Sequence, residues 1–307
     1  MMLESMRIWA SLEDATGEDV GFTRGGCFFA ANSQKEFEKY EHWVRIAAEH
    51  DIDTRLISGP ELKQHVQGSA IEWLGAMYTP SDGPRTGYFR ETVNPLELLG
   101  EQGARAISDV FAPDHKLTWQ LYVPDSYDAR KPAGVMVYVS PTKSGVPKRG
   151  WKSALDERNM IWIAALNSGN NKHVTERSLK AIFATTYIAQ NYAIDIDRVY
   201  VSGFSGGGKT VARIARSQPD LFKGALYICG VEFWQEQPPK IDQVRDMHHV
   251  FLTGTNDFNR QETKQIRKKY QQAGVAGTEL IVVRSMSHEL PPTKYFAQAI
   301  DYLDSRN

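Results

Sequence analysis

The chain has 307 residues, is 41% hydrophobic and carries a formal net charge of −1 at pH 7. This length corresponds to one large or two modest domains, and the near-zero charge excludes a general electrostatic attraction to nucleic acid or anionic membranes. The longest apolar runs, such as residues 160–166, have the length of strands and fall short of the ~18 residues that a membrane span needs.

The N-terminal stretch and the cysteines predict a cytoplasmic protein. Glu4 and Asp14 stand where a signal peptide has its apolar run. The two cysteines, Cys27 and Cys229, form no CxxC motif, so unpaired thiols are expected.

The first part of the chain mixes strand and helix patterns. Residues 20–31 have the composition of a strand or hairpin, and residues 72–78 form another candidate strand. Ser33 and Glu36 match a capping box that predicts a helix, and a second capping box begins at Ser58. One face of the first helix carries apolar residues at helical spacing: Phe37, Tyr40, Val44 and Ala47.

A change of pattern separates this part from the rest. Residues 79–87 are rich in turn-forming residues and predict a linker. We therefore expect a small α+β segment over residues 1–86 and a larger α/β domain over residues 87–307.

Strands and helices alternate in the second part. Strands are predicted at residues 105–111, 117–123, 135–140, 160–165, 198–202, 224–229, 249–253 and 279–284, the first two as an antiparallel pair. Helices are predicted at residues 174–191, 207–217, 260–273 and 292–305. This alternation indicates an α/β fold with a mostly parallel sheet, whose ligands bind at the carboxyl ends of the strands.

Residues 203–210 read GFSGGGKT and match two motifs. As G-x-x-x-x-G-K-[ST], the stretch is a phosphate-binding loop with Lys209 and Thr210 in register. As G-x-S-x-G, it is a nucleophile elbow with Ser205 at its centre. Both motifs lie between a strand and a helix, so local structure does not separate them.

Residues further along the chain favour the elbow. Asp257 lies 52 residues after Ser205, beyond the strand at 249–253, and His288 follows 31 residues later, beyond the strand at 279–284. Serine, aspartate and histidine in this order at successive strand ends form a nucleophilic triad. A phosphate-binding loop needs an acidic residue for Mg²⁺ directly after a strand, and Asp257 is three residues too distant.

The chemistry assigned to these residues is acyl transfer. Ser205 is the predicted nucleophile, His288 the general base and Asp257 the group that orients the imidazole. The N–H groups of Gly206 and Thr142 are the predicted donors of an oxyanion hole. This chemistry requires no metal and no organic cofactor, so none is expected.

From about residue 110 onwards, the chain resembles α/β-hydrolase serine esterases, particularly the polyhydroxyalkanoate-depolymerase and feruloyl-esterase-like group. The resemblance rests on DRVYVSGFSGG at 197–207, GTND at 254–257 and SHELP at 287–291. It implies an α/β-hydrolase fold with the same serine, aspartate and histidine as the triad.

Residues 1 to about 84 resemble an interior piece of FAD-dependent amine oxidoreductases of the D-amino-acid-oxidase and sarcosine-oxidase type. The stretches that carry this resemblance are GEDVGFTRGG at 17–26 and AMYTPSDG at 76–83. The dinucleotide fingerprint G-x-G-x-x-G is absent from the sequence, so no cofactor-binding residue is assigned and no flavin is expected.

Three functions remain open on the sequence alone. The first is hydrolysis of a small-molecule carboxylic ester, with neither nucleic acid nor membrane as a partner. The second is a serine peptidase that uses the same triad, and the third is a non-catalytic binding protein whose triad does not assemble. Five aromatic residues are candidates for a substrate pocket: Trp151, Trp162, Phe233, Trp234 and Phe258.

Overall fold

The computed structural model describes residues 27–50, 52, 54–65, 71–79 and 85–305. The chain divides into two compact units, Met1–Arg85 and Thr86–Asn307. Across the described ranges, no helix combines the length and the apolar character that crossing a membrane requires.

The described part of the first unit is a small three-stranded sheet with two helices. The strands are β1 (Cys27–Ala31), β2 (Arg55–Ile57) and β3 (Gly75–Thr79), and the helices are α1 (Gln34–Glu49) and α2 (Gly59–His65). The order is β1-β3-β2 with antiparallel pairing. This composition confirms the predicted α+β segment.

Helix α1 begins as its sequence predicts. The Ser33 hydroxyl accepts a hydrogen bond from the Glu36 N–H and caps the helix. The predicted apolar face packs on the sheet: a Cβ added to Gly75 would lie 2.1 Å from the Phe37 ring. The N-terminal part of the predicted hairpin at 20–31 and most of the predicted linker at 79–87 lie outside the described residues.

The second unit contains an eight-stranded sheet. Its strands are β4 (Gly87–Val93), β5 (Leu117–Val123), β6 (Ala133–Val139), β7 (Met160–Ala165), β8 (Ile194–Phe204), β9 (Gly224–Ile228), β10 (His248–Gly254) and β11 (Thr278–Val283). They are ordered β4-β5-β7-β6-β8-β9-β10-β11. Strand β5 is antiparallel to both of its neighbours, and all other neighbouring pairs are parallel.

Helices of this unit cover both faces of the sheet. They are α3 (Pro95–Ala106), α4 (Trp151–Glu157), α5 (Val174–Asn191), α6 (Gly206–Ser217), α7 (Ile241–Asp246), α8 (Arg260–Gln272) and α9 (Thr293–Asp304). Alternate residues of β6 point to opposite faces. Val135 and Val137 belong to the core under α5 and α6, whereas Met136 belongs to the core under α4 and α9.

The predicted strand at residues 105–111 is wrong. An Asn94–Glu97 capping box begins α3 at Pro95, and the following N–H groups of Val110 and Phe111 turn back to the Ile107 carbonyl. The antiparallel partner of β5 is β4, whose sequence GYFRETV contains aromatic and β-branched residues and lies directly after the predicted linker.

Parallel strands bring distant parts of the sequence to one edge of the sheet. The carboxyl ends of β6, β7, β8, β10 and β11 all lie there. The candidate site is built from the ends of these strands and the loops that follow them, together with the loop after β9, the first residue of α6 and Arg177 on α5.

Candidate active site

Ser205 stands between β8 and α6 in an unusual backbone conformation, with φ 54° and ψ −121°. A positive φ costs a residue with a Cβ about 1–3 kcal/mol, so neighbouring contacts must hold it. One of these is the hydrogen bond from the Ser205 N–H to the Ile228 carbonyl, 2.8 Å. The Ser205 side chain makes no capping bond with α6, which leaves its Oγ available to His288.

The glycines of GFSGGGKT are needed for close backbone approach. A Cβ added to Gly203 would lie 2.5 Å from the Gly207 carbonyl carbon, and one added to Gly207 would lie 1.9 Å from the Val139 oxygen. The glycines therefore let strand β8 and helix α6 pass closely. Lys209 is exposed on α6, as expected for a solvated helix residue.

His288 lies in the loop after β11 and bridges the other two predicted triad residues. Its Nε2 lies 2.9 Å from Ser205 Oγ, and its Nδ1 lies 2.8 Å from Asp257 Oδ1. Two phenyl rings flank the imidazole, with centroid distances of 5.0 Å to Phe204 and 4.1 Å to Phe258. The imidazole is therefore oriented both by hydrogen bonds and by ring contacts.

Asp257 lies in the loop after β10 and is buried. Thr253 Oγ1 donates to its Oδ2 at 2.7 Å, and the Asn259 N–H donates to its Oδ1 at 3.1 Å. Burial alone would raise the pKa of this carboxyl, but the hydrogen bonds that it accepts outweigh burial and keep its pKa below the ordinary value. Asp257 is therefore ionised at neutral pH and accepts from the Nδ1–H of His288.

Cys229 is a buried neighbour of this pair. The ligand atoms of Cys229, Asp257 and His288 all lie within 4.8 Å of one another. Burial, reinforced by the Asp257 charge, raises the pKa of the Cys229 thiol, and metals bind the thiolate form. His288 Nδ1 is already hydrogen-bonded to Asp257. Asp257 and His288 therefore fit a hydrogen-bonded triad with Ser205 better than a metal centre with Cys229.

The two predicted oxyanion donors differ in their surroundings. Gly206 directly follows Ser205, and a Cβ added to it would lie 2.2 Å from Asn170 Oδ1. Thr142 lies in the loop after β6, where its N–H donates to Ser140 Oγ at 3.1 Å. In this structure, the Thr142 amide is thus engaged by a neighbouring hydroxyl.

The five candidate pocket aromatics differ in burial and position. Trp151 and Trp162 are fully buried core residues, and Phe233 and Trp234 stack on each other at 4.2 Å. Phe258 is 76% exposed and lies against His288. Of the five, Phe258 alone combines contact with the site and exposure to solvent.

Two further residues of this region carry no sequence motif. Asn170, in the loop after β7, packs against Gly206, and Arg177, on α5, donates to the Gly206 carbonyl. Their positions depend on how β7, α5 and α6 pack, so spacing along the chain gives no sign of them.

Two family models match parts of this chain. The FAD dependent oxidoreductase family matches residues 1–85, and the prolyl oligopeptidase family matches residues 166–303. The second match includes Ser205, Asp257 and His288. No curated protein matches the sequence significantly.

Solved structures with a similar fold include both esterases and peptidases. A putative dipeptidyl aminopeptidase IV from Bacteroides ovatus has a TM-score of 0.51 and 15% identity over 77% of this chain and 38% of its own. A feruloyl esterase module from Clostridium thermocellum, complexed with sinapinate, has a TM-score of 0.53 and 12% sequence identity, and the match covers 70% of this chain and 87% of that module. Fluorophosphonate-binding serine hydrolase F from Staphylococcus aureus has a TM-score of 0.51 and 12% sequence identity, and the match covers 71% of this chain and 98% of that protein.

The match to the peptidase is partial, since this chain covers 38% of that protein's length. The similarities show the predicted α/β-hydrolase fold in the second unit, and they confirm its resemblance to α/β-hydrolase serine esterases. The match of residues 1–85 confirms the other predicted resemblance. The chain therefore joins a segment that resembles FAD dependent oxidoreductases to a unit with the α/β-hydrolase fold.

Proposed function

We propose that this protein is a serine hydrolase that cleaves small or medium-sized carboxylic esters through an acyl-enzyme intermediate. The observation that carries this proposal is the continuous hydrogen-bonded chain from Ser205 through His288 to the ionised Asp257, with distances of 2.9 Å and 2.8 Å. These short distances support catalysis over a non-catalytic binding protein whose triad does not assemble.

Acylation begins when Ser205 Oγ attacks the ester carbonyl carbon and His288 Nε2 takes the hydroxyl proton. The resulting imidazolium is stabilised by the Asp257 carboxylate, which also holds the Nδ1–H tautomer. The tetrahedral intermediate then collapses: the bond to the alkoxy group breaks, and His288 returns the proton to the departing alcohol.

Deacylation repeats these steps with water. His288 takes a proton from a water molecule, whose oxygen attacks the acyl-enzyme carbonyl. Collapse of the second intermediate breaks the bond to Ser205 Oγ, which regains its proton from His288. The products are one alcohol and one carboxylic acid, and the enzyme returns to its starting state.

The negative oxygen of each intermediate needs hydrogen-bond donors. We assign the first to the N–H of Gly206, which follows the nucleophile at the start of α6. The second is assigned to the N–H of Thr142, which would exchange its bond to Ser140 Oγ for one to the oxyanion. Each donor contributes about 3 kcal/mol of transition-state stabilisation.

A serine peptidase is the second candidate function. The match of residues 166–303 to the prolyl oligopeptidase family and the similarity to a dipeptidyl aminopeptidase favour it. The esterase proposal is supported by the much larger share of the feruloyl esterase module that this chain covers, 87% against 38%.

The proposal is tested with p-nitrophenyl acetate and butyrate. The native protein is expected to hydrolyse both esters, and Ser205→Ala is expected to lower kcat/KM by about 10⁴-fold because the nucleophile is lost. Ser217→Ala, at the exposed far end of the same helix, is the matched control and should keep native turnover.

Two further measurements complete this test. A fluorophosphonate probe should label the native protein, and peptide mapping should place the label on Ser205. Ordinary ester turnover by Ser205→Ala would contradict the proposed triad. A panel of peptide amides cleaved as efficiently as the esters would favour the peptidase instead.

A further inference from the structure

Arg177 is a buried cation that the proposed mechanism leaves unused. It lies on α5 and is 6% exposed. Its Nε donates to the Ser168 carbonyl at 2.9 Å, its Nη2 to the Ser140 carbonyl at 3.0 Å, and its Nη1 to the Gly206 carbonyl at 3.4 Å. One guanidinium thus holds three separate segments of the chain.

All three segments border the proposed nucleophile. Ser140 begins the loop after β6, and its Oγ accepts the N–H of Thr142. Ser168 lies in the loop after β7, two residues before Asn170, whose side chain packs on Gly206. Gly206 itself carries the proposed first oxyanion donor. The guanidinium therefore fixes the spacing of the segments that surround the developing oxyanion.

The hydrogen bonds of Arg177 do not explain why the side chain at this position is positively charged. Its three acceptors are neutral backbone carbonyls. Burial lowers the pKa of Arg177, yet a guanidinium stays protonated in proteins. Burying a cation without a carboxylate is costly, and a neutral amide such as glutamine also donates to carbonyls.

A negative charge forms nearby during the reaction. The guanidinium lies 3.4 Å from the carbonyl oxygen of Gly206, the residue whose N–H faces the oxyanion in the proposed mechanism. The guanidinium charge therefore acts on the oxyanion from the far side of Gly206, and a fixed positive charge in a buried site favours the negatively charged intermediate over the neutral ester.

Resting on the proposed hydrolase function, we propose that Arg177 is a positioning residue whose buried positive charge stabilises the tetrahedral intermediate formed at Ser205. It acts through the carbonyls of Ser140, Ser168 and Gly206 and does not contact the substrate. The group it favours is any oxyanion formed by addition to a carbonyl, phosphonyl or boronyl centre.

The test compares a neutral and a charged replacement. Arg177→Gln keeps hydrogen-bond donors but removes the charge. Arg177→Lys keeps the charge but loses the planar guanidinium that donates to three carbonyls. With p-nitrophenyl butyrate, and with active sites counted by fluorophosphonate titration, Arg177→Gln should lower kcat about tenfold with little change in KM. Arg177→Lys should stay within about threefold of the native kcat.

A second readout and a control separate this role from general stability. Affinity for a boronic acid, which adds to the serine as a tetrahedral anion, should fall in Arg177→Gln in parallel with kcat. Lys180→Met is the control, because Lys180 is also buried on α5 but is paired with Glu176; its kcat should be native. If Arg177→Gln does not fold, Arg177→Asn, which also keeps an amide donor without the charge, takes its place with the same expectation.

The outcomes distinguish this inference from the proposed function. A native protein that neither hydrolyses esters nor reacts with fluorophosphonate overturns both. Native turnover together with an unchanged kcat in the neutral variant overturns the role of Arg177 alone. Equal losses in Arg177→Gln and Arg177→Lys also overturn it, because the charge would then contribute nothing.

Discussion

The carboxylate of Asp257 depends on Thr253, which is itself fully buried. Thr253→Val should remove one donor and lower the unfolding free energy by about 1–3 kcal/mol at pH 7, because a buried acceptor loses its partner. The pKa of Asp257 should rise toward its ordinary value. Urea denaturation of the native and variant proteins measures the difference.

The pH dependence of this effect has a definite sign. A carboxyl whose pKa is lowered in the folded protein contributes stability above its unfolded pKa, about 3.9, and loses it as the pH falls through the folded value. The gap between native and Thr253→Val should therefore be largest at neutral pH and shrink below about pH 4. Thr253→Ser keeps the hydroxyl but loses a buried methyl group, so it should be less stable than the native protein by an amount that does not change with pH. An equal difference between native and Thr253→Val at pH 7 and pH 3 would contradict this explanation.

The turn between β8 and α6 determines which of its two motifs is functional. Lys209 is exposed on α6, so Lys209→Ala should keep most of the ester hydrolysis. Isothermal titration calorimetry of the native protein with Mg-ATP should give no heat of binding. Micromolar ATP binding that disappears in Lys209→Ala would make GFSGGGKT a phosphate-binding loop.

Sequence patterns predicted the central helices and strands well. The helix Val174–Asn191 and the strand Met160–Ala165 agree with the predicted bounds, because long periodic and fully apolar segments are distinctive. Residues 105–111 were predicted wrongly because Ile107, Val110 and Phe111 are spaced three and four residues apart, which is the spacing of a helix end and a following turn and not that of a strand. The capping of α3 by Asn94 and Glu97 was the overlooked signal.

The sequence predicted those residues of the candidate site whose order along the chain indicates their chemical role. Ser205, Asp257 and His288 each follow a strand of a parallel sheet, so their convergence follows from topology. The engagement of the Thr142 N–H by Ser140 and the reach of Arg177 across three segments depend on packing. No periodicity or motif encodes such contacts between side chains and distant carbonyls.

The match of residues 1–85 to FAD dependent oxidoreductases raises the question of a flavin. A flavin dinucleotide binds its pyrophosphate on a glycine-rich turn at the start of a helix. The described helix α1 follows Ala31, Asn32 and Ser33, with no glycine for close approach. We therefore predict that the purified 307-residue protein is colourless, without flavin absorbance at about 450 nm.

A more stringent test of this prediction is an attempt to reconstitute the protein with FAD. Incubation with excess FAD followed by gel filtration should leave the protein fraction without flavin, while ester hydrolysis is unaffected. Stoichiometric flavin in that fraction would reopen an oxidoreductase function for the chain.

The two phenyl rings beside His288 have an electronic consequence. The ring centroids of Phe204 and Phe258 lie 5.0 Å and 4.1 Å from the imidazole centroid; the Phe258 ring is stacked on the imidazole and the Phe204 ring is tilted by 39°. In the proposed mechanism His288 takes the proton of Ser205 and becomes a cation stacked on the exposed ring of Phe258, and such a cation–π contact favours the charged form by about 0.5–1 kcal/mol. In that mechanism Phe258 would share with Asp257 the stabilisation of the imidazolium, and its contribution would exist only while the proton is on His288.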